Sequence, residues 1–123
     1  MWRVIYYTRP NGRQPAKEWV EGQDNSIKPS IDARIQRLRD EGLLLVENGM
    51  LVPIREKRGK KKFIPGFYEL KDRTKKWRIA VYHDLKQNSF VLIHGWRKLK
   101  EAEEQEIERA RTLLNEYFPI EGG

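Results

Sequence analysis

Three apolar-rich runs follow one another between Gly66 and Lys98, and their alternation predicts three strands. They span residues 67–71, 77–83 and 89–95, and they are rich in the β-branched and aromatic residues that suit a pleated surface. The linkers at 72–76 and 84–88 are polar and have the length of hairpin loops, so the runs form an antiparallel meander. Period-two alternation then assigns faces. With Tyr68, Leu70, Ile79 and Val81 turned toward a core, Phe67, Glu69, Lys71, Arg78, Ala80 and Tyr82 fall on the other, open face. Lys71 and Arg78 share that face, with Arg97 and Lys98 at the exit of the third run. Such a cluster of cations suits phosphate better than an apolar partner.

The rest of the pattern is mostly helical. Residues 2–8 alternate as a first strand, which the turn sequence Arg9-Pro10-Asn11-Gly12 ends. Pro15 suits a helix start, and Ala16, Trp19 and Val20 form the inner stripe of a short helix closing near Gly22. Asn25 or Ser26 is placed to cap a second helix, with Pro29 in its first turn. There Ile27, Ile31, Ile35 and Leu38 recur at helical spacing, with Arg34, Arg37 and Arg39 on the solvent side and Gly42 at the end. Residues 43–46 are either the last turn of that helix or a buried extended segment. Pro53 interrupts the stretch after Asn48-Gly49, so no strand is assigned there. Residues 101–117 read as a closing helix with an Ile107, Ala110, Leu114, Tyr117 stripe, acids at its positive end and a stop at Phe118-Pro119.

Composition narrows the chemistry. A chain of 123 residues suits a single domain over 1–123. With no Cys, there is neither a disulfide framework nor a thiolate metal site, and two His do not make a zinc site unaided, so no metal or other cofactor is expected. The absence of an apolar run of roughly 18 residues argues against a membrane helix, and the first residues do not resemble a secretory signal, so a cytoplasmic location is expected.

The net charge of +7 is concentrated. Residues 55–78 hold eleven Lys/Arg against three acids, while residues 101–123 hold seven Glu against two Arg. A basic face with this density is the electrostatic footprint of a nucleic-acid binder. The candidate RNA-contacting cations are Lys57, Arg58, Lys60, Lys61, Lys62, Arg73, Lys75 and Lys76. Residues 55–62 read as a mobile basic loop that either contacts nucleic acid or serves solubility.

Three motifs, taken in order, resemble those of the RelE/ParE toxin superfamily, and most closely its phage-associated HigB-like branch. They are Phe67-Tyr68-Glu69-Leu70-Lys71, Trp77-Arg78-Ile79-Ala80-Val81-Tyr82, and Leu92-Ile93-His94-Gly95-Trp96-Arg97-Lys98 leading into an acidic helix start. The resemblance implies an α+β, RelE-like fold: an antiparallel sheet of about four strands packed on two N-terminal helices, with a C-terminal helix. It implies the toxin of a type II toxin–antitoxin system, a ribosome-dependent mRNA endonuclease that inhibits translation. Its partners would be the ribosome, mRNA and a cognate helix-turn-helix antitoxin.

The implied reaction is attack of a ribose 2′-OH on the adjacent phosphate, which needs a base, charge stabilisation and help for the leaving 5′-oxygen. Carried over by motif, Lys71, Arg78 and Arg97 or Lys98 face the phosphate. His94 has two readings, as a proton-transfer group or as a buried histidine bonded within the sheet. His83 ranks below it. In this family Glu69 is more often a structural partner for Arg than a catalytic group, and if it faces the cations, pairing is expected to hold it ionised. Lys71 stands where this branch commonly has Arg, Trp96 where Phe is common, and the base is unidentified. Two other functions share the scaffold or the charge: a ParE-like gyrase inhibitor, and a phage-derived nucleic-acid-binding module without catalysis.

Overall fold

A computed structural model describes residues 1–56, 62–72, 74, 76–98 and 103–121. In chain order the elements are β1 (Arg3–Tyr6), α1 (Pro15–Glu21), α2 (Lys28–Glu41), α3 (Leu44–Glu47), β2 (Leu51–Arg55), β3 (Phe63–Lys71), β4 (Trp77–Asp84), β5 (Ser89–Arg97) and α4 (Glu103–Glu121). The expected meander is β3-β4-β5. The sheet around it has five strands, ordered β1-β5-β4-β3-β2, rather than about four. It is also mixed: β1 runs parallel to β5, while the other neighbours are antiparallel.

The additional strand is β2, where Pro53 had argued against pairing. Pro53 is tolerated because β2 lies at the sheet edge, where a missing N–H costs no ladder bond, and the β2–β3 register shifts just after it. The run at 43–46 resolves into the short helix α3, with Leu45 fully buried. α2 starts at Lys28 without a side-chain cap from Asn25 or Ser26. α4 continues past Phe118-Pro119 to Glu121, with the proline inside its last turn.

Both sheet faces are covered, each for a legible reason. On one face Leu70, Trp77, Ile79, Val81, Phe90 and Leu92 meet the inner stripes of α1 and α2 and Leu45 of α3. This is the packing expected of two N-terminal helices. On the other face Phe67, Ala80, Val91, Ile93 and Trp96 meet Ala110, Leu114 and Tyr117 of α4. The face expected to be open is therefore roofed by α4. Each fully buried Leu, Ile or Phe in these layers contributes about 1.5–3 kcal/mol relative to exposure.

β5 contains the irregularity that sets the site. Ala80 pairs with His94 but Val81 pairs with Leu92, so Ile93 is an extra residue on the β5 side. Such a bulge shifts by one the face on which every later side chain falls. Two residues on, Gly95 turns to the α1 face, where a Cβ would lie 2.3 Å from the Trp19 ring. The motif glycine is there because the indole occupies that space. No helix among the described residues is long and apolar enough to cross a membrane.

Candidate functional site

The meander register brings the motif residues to one end of the sheet. Lys71 lies opposite Arg78 and Glu69 opposite Ala80 on the β3–β4 ladder. On the next ladder Arg78 lies opposite Trp96 and Ala80 opposite His94. Since Ala80 and Trp96 belong to the α4-side core, Glu69, Lys71, Arg78 and His94 share that face. Alternation placed the first three there correctly. Their environment, beneath α4, was not foreseen.

Arg78 is the centre of this arrangement. Its side chain is only 3% exposed, with Nε 2.6 Å from Glu69 Oε1 and 3.9 Å from Glu103 Oε1. One terminal N–H donates to the Trp77 carbonyl at 2.8 Å. The guanidinium is therefore paired with carboxylates in the interior, and is not one of several free cations on an open face. Glu69 was expected to be held ionised by Arg78, yet its carboxyl is pushed up to about 7. Burial is the first cause, a hydrogen bond and charge from Glu103 come next, and Arg78 opposes them. The cluster thus holds one cation and two carboxyls, of which Glu69 keeps its proton up to near neutrality.

His94 has a carboxylate of its own. Its Nε2 lies 2.7 Å from Glu106 Oε2, while the other Glu106 oxygen accepts from Arg109 at 2.7 Å. The ring stacks on Trp96 with centroids 5.6 Å apart. Glu106 therefore fixes the ring's orientation, leaving Nδ1 as the nitrogen available for other partners. This accommodates both readings of His94. His83 belongs to the opposite face, where it stacks on Phe90 and burial lowers its pKa. Its lower rank agrees with that placement.

Among the described residues, the remaining candidate cations do not converge on Arg78. Arg97 lies opposite Trp77, whose side chain belongs to the α1/α2 core, and its charge helps lower the pKa of Asp24 beyond α1, where the Ser26 hydroxyl is the main cause. The bulge at Ile93 is the reason: it sends Arg97 to the face opposite Arg78. Lys98 follows the end of β5 and is exposed, its N–H bonded to the Lys76 carbonyl at 3.0 Å. Lys62 approaches Glu56 at 3.7 Å. The Lys76 N–H bonds Asp72 Oδ1 at 3.1 Å, which closes the β3–β4 hairpin. Lys57, Arg58, Lys60, Lys61, Arg73 and Lys75 lie outside the described residues.

Glu103 and Glu106 are the site residues that sequence reasoning missed. Their spacing of three puts both on one helix face; Glu103 was assigned to the helix dipole alone, and Glu106 was given no role. The cue was a basic sheet face preceding an acidic amphipathic helix with nowhere else to dock. Further along α4, Glu116 accepts from the Tyr7 hydroxyl and is bidentate with Arg9, at 2.7, 2.9 and 3.2 Å. Tyr117 is buried and donates to Asp84, consistent with its reading as a packing residue. A cavity of about 460 Å³ separates α4 from the start of α1, with Arg9, Arg13, His94, Arg109 and Leu113 among its walls.

No protein-family model and no curated protein matches the chain. Among solved structures, the molecule is similar to the isolated E. coli RelE toxin in its P21 crystal form, with a TM-score of 0.56 over 89% of this chain and 98% of that one. The two sequences are 11% identical over this match. The chain therefore has a RelE-like fold: a mixed α+β architecture in which a five-stranded sheet is enclosed by helices on both faces.

Proposed function

We propose that the chain is the toxin of a type II toxin–antitoxin pair, of the HigB-like kind, and cleaves mRNA on the ribosome. The observation behind this reading is the cross-strand pair Lys71–Arg78, set on a RelE-like sheet with His94 two positions along the same face. Arg78, once Glu103 is displaced, is the group suited to the scissile phosphate, because its planar guanidinium has N–H groups beyond the Nε–H that Glu69 holds. Lys71 adds a second charge from the neighbouring strand. His94, oriented by Glu106, is the proton carrier, and Glu69, its carboxyl pushed up to about 7, meets the requirement for a base near neutral pH. Arg97 and Lys98 act away from the reacting phosphate, on RNA backbone or ribosomal RNA. The antitoxin is a helix-turn-helix protein, and the site of action is the cytoplasm.

Cell-free translation followed by primer extension of the mRNA tests the reading. The expected result is cuts confined to the ribosome-bound codon. Lys71→Ala should slow them by about 10²–10³-fold, the cost of losing one charge stabiliser, while leaving the melting profile unchanged because Lys71 is half-exposed. Uncut mRNA, together with linear DNA breaks in a gyrase reaction, would replace this reading by the gyrase-inhibitor one.

A further inference from the structure

We propose that the first turn of α4 is a gate on Arg78, in which the Glu103 carboxylate occupies the position a phosphate oxygen must take. The gate rests on the RNA-cleaving reading for its purpose, though not for its geometry. Arg78 Nε already has a close partner in Glu69 at 2.6 Å, and Glu103 stands behind it at 3.9 Å. Once Glu69 is ionised, Glu103 is therefore not needed to neutralise the guanidinium. It is also the more exposed of the two acids, 27% against 15%, and it sits on the first residue of its helix. Of the groups around Arg78, it is the one that can leave without unmaking the sheet.

Charge decides when it leaves. Around Arg78 the facing groups are Glu69 and Lys71 from β3, His94 from β5, and Glu103 and Glu106 from α4, with Glu106 already committed to His94 and Arg109. With Glu69 protonated, one guanidinium balances one carboxylate and the turn stays docked. As pH rises through about 7 Glu69 loses its proton, and two carboxylates face one cation. Glu69 keeps Arg78, and Glu103 is repelled toward solvent. An RNA phosphate then has access to the outer edge of the guanidinium.

The test pairs amide hydrogen exchange with binding of a 2′-O-methyl RNA oligonucleotide, which has no free 2′-OH and is not cut. In the wild type, protection of the amides of residues 107–110, which bond the carbonyls of the first turn, should fall several-fold between pH 6 and pH 8 once corrected for intrinsic rate, and RNA affinity should rise over the same range. Glu103→Gln removes the competing charge. At pH 6 it should bind the oligonucleotide about three- to tenfold more tightly than wild type, with a flattened pH profile and weaker protection of the first turn. Protection that does not change with pH, together with E103Q affinity equal to wild type, overturns the gate while leaving the RNA reading intact. RNA binding absent from both proteins, with pH-dependent protection retained, supports the gate and overturns the RNA reading.

Discussion

Replacement of Arg78 by alanine is expected to cost about 3–5 kcal/mol of folding stability at neutral pH, because breaking a buried ion pair strands its partner. The partner here is a double one. Glu69 and Glu103 would be left facing each other with no cation between them. The folded-state pKa of Glu69, already pushed up to about 7 and no longer opposed by Arg78, would then lie further above the unfolded carboxylate value of about 4.3. Below that value both states bind the protons alike and the deficit from ionisation vanishes. It grows as pH rises toward and through the raised folded value. Urea titrations of Arg78→Ala at pH 4 and pH 8 should therefore differ, with the larger loss at pH 8. Adding Glu69→Gln should recover part of that loss by removing one of the stranded charges. An alanine variant as stable as wild type at pH 8 would mean that the pair is not buried. Loss of toxicity in Arg78→Ala confounds folding with chemistry, so Arg78→Lys, which keeps a cation near Glu69, is the variant with which to test catalysis.

Trp77→Ala should be comparably damaging, for an apolar reason. The indole is fully buried against α2, and its N–H donates to Ser30 Oγ at 2.9 Å, joining the sheet to the helix layer. Truncating a buried Trp leaves a large cavity and costs about 3–5 kcal/mol. Trp77→Phe should cost less, since it fills most of the volume and loses one hydrogen bond worth about 0.5–1.5 kcal/mol. Denaturant midpoints, with the slope unchanged, are the measurement. An alanine variant within about 1 kcal/mol of wild type would show that the site collapses to fill the space. These two neighbours divide the labour of the second motif: Trp77 anchors the strand to the helices, and Arg78 faces the opposite way into the carboxylates.

The meander was legible because period two is robust over short, turn-bounded runs, and it placed Glu69, Lys71 and Arg78 on one face correctly. That the face is roofed was also written in the chain, in a signal given too little weight. Residues 79–81 and 90–93 are continuous apolar runs rather than alternating ones, the mark of strands buried on both sides. An amphipathic helix comes directly after to cover them. Pro53 misled in the other direction: proline excludes a central strand but not an edge, and edge position is a property of the whole sheet. The parallel pairing of β1 was beyond local pattern, since it depends on β5 being free on its far side. The bulge at Ile93 was equally invisible, because an extra residue among apolar neighbours changes no hydropathy. It is the bulge that turns His94 toward α4 and Arg97 away from Arg78. The candidate site was thus half legible: its residues from motif and alternation, its closure and partners only from the fold.

The claim on which the functional account depends is that Arg78 receives an RNA phosphate despite lying beneath α4. Its Nε–H resonance, followed by side-chain ¹⁵N spectroscopy while the 2′-O-methyl oligonucleotide is titrated in at pH 8, reads this directly. The predicted result is a saturating shift at Arg78 that tracks RNA binding and is weakened in Lys71→Ala. An Arg78 resonance that stays fixed, while surface lysines and arginines move and the RNA is bound, would contradict it.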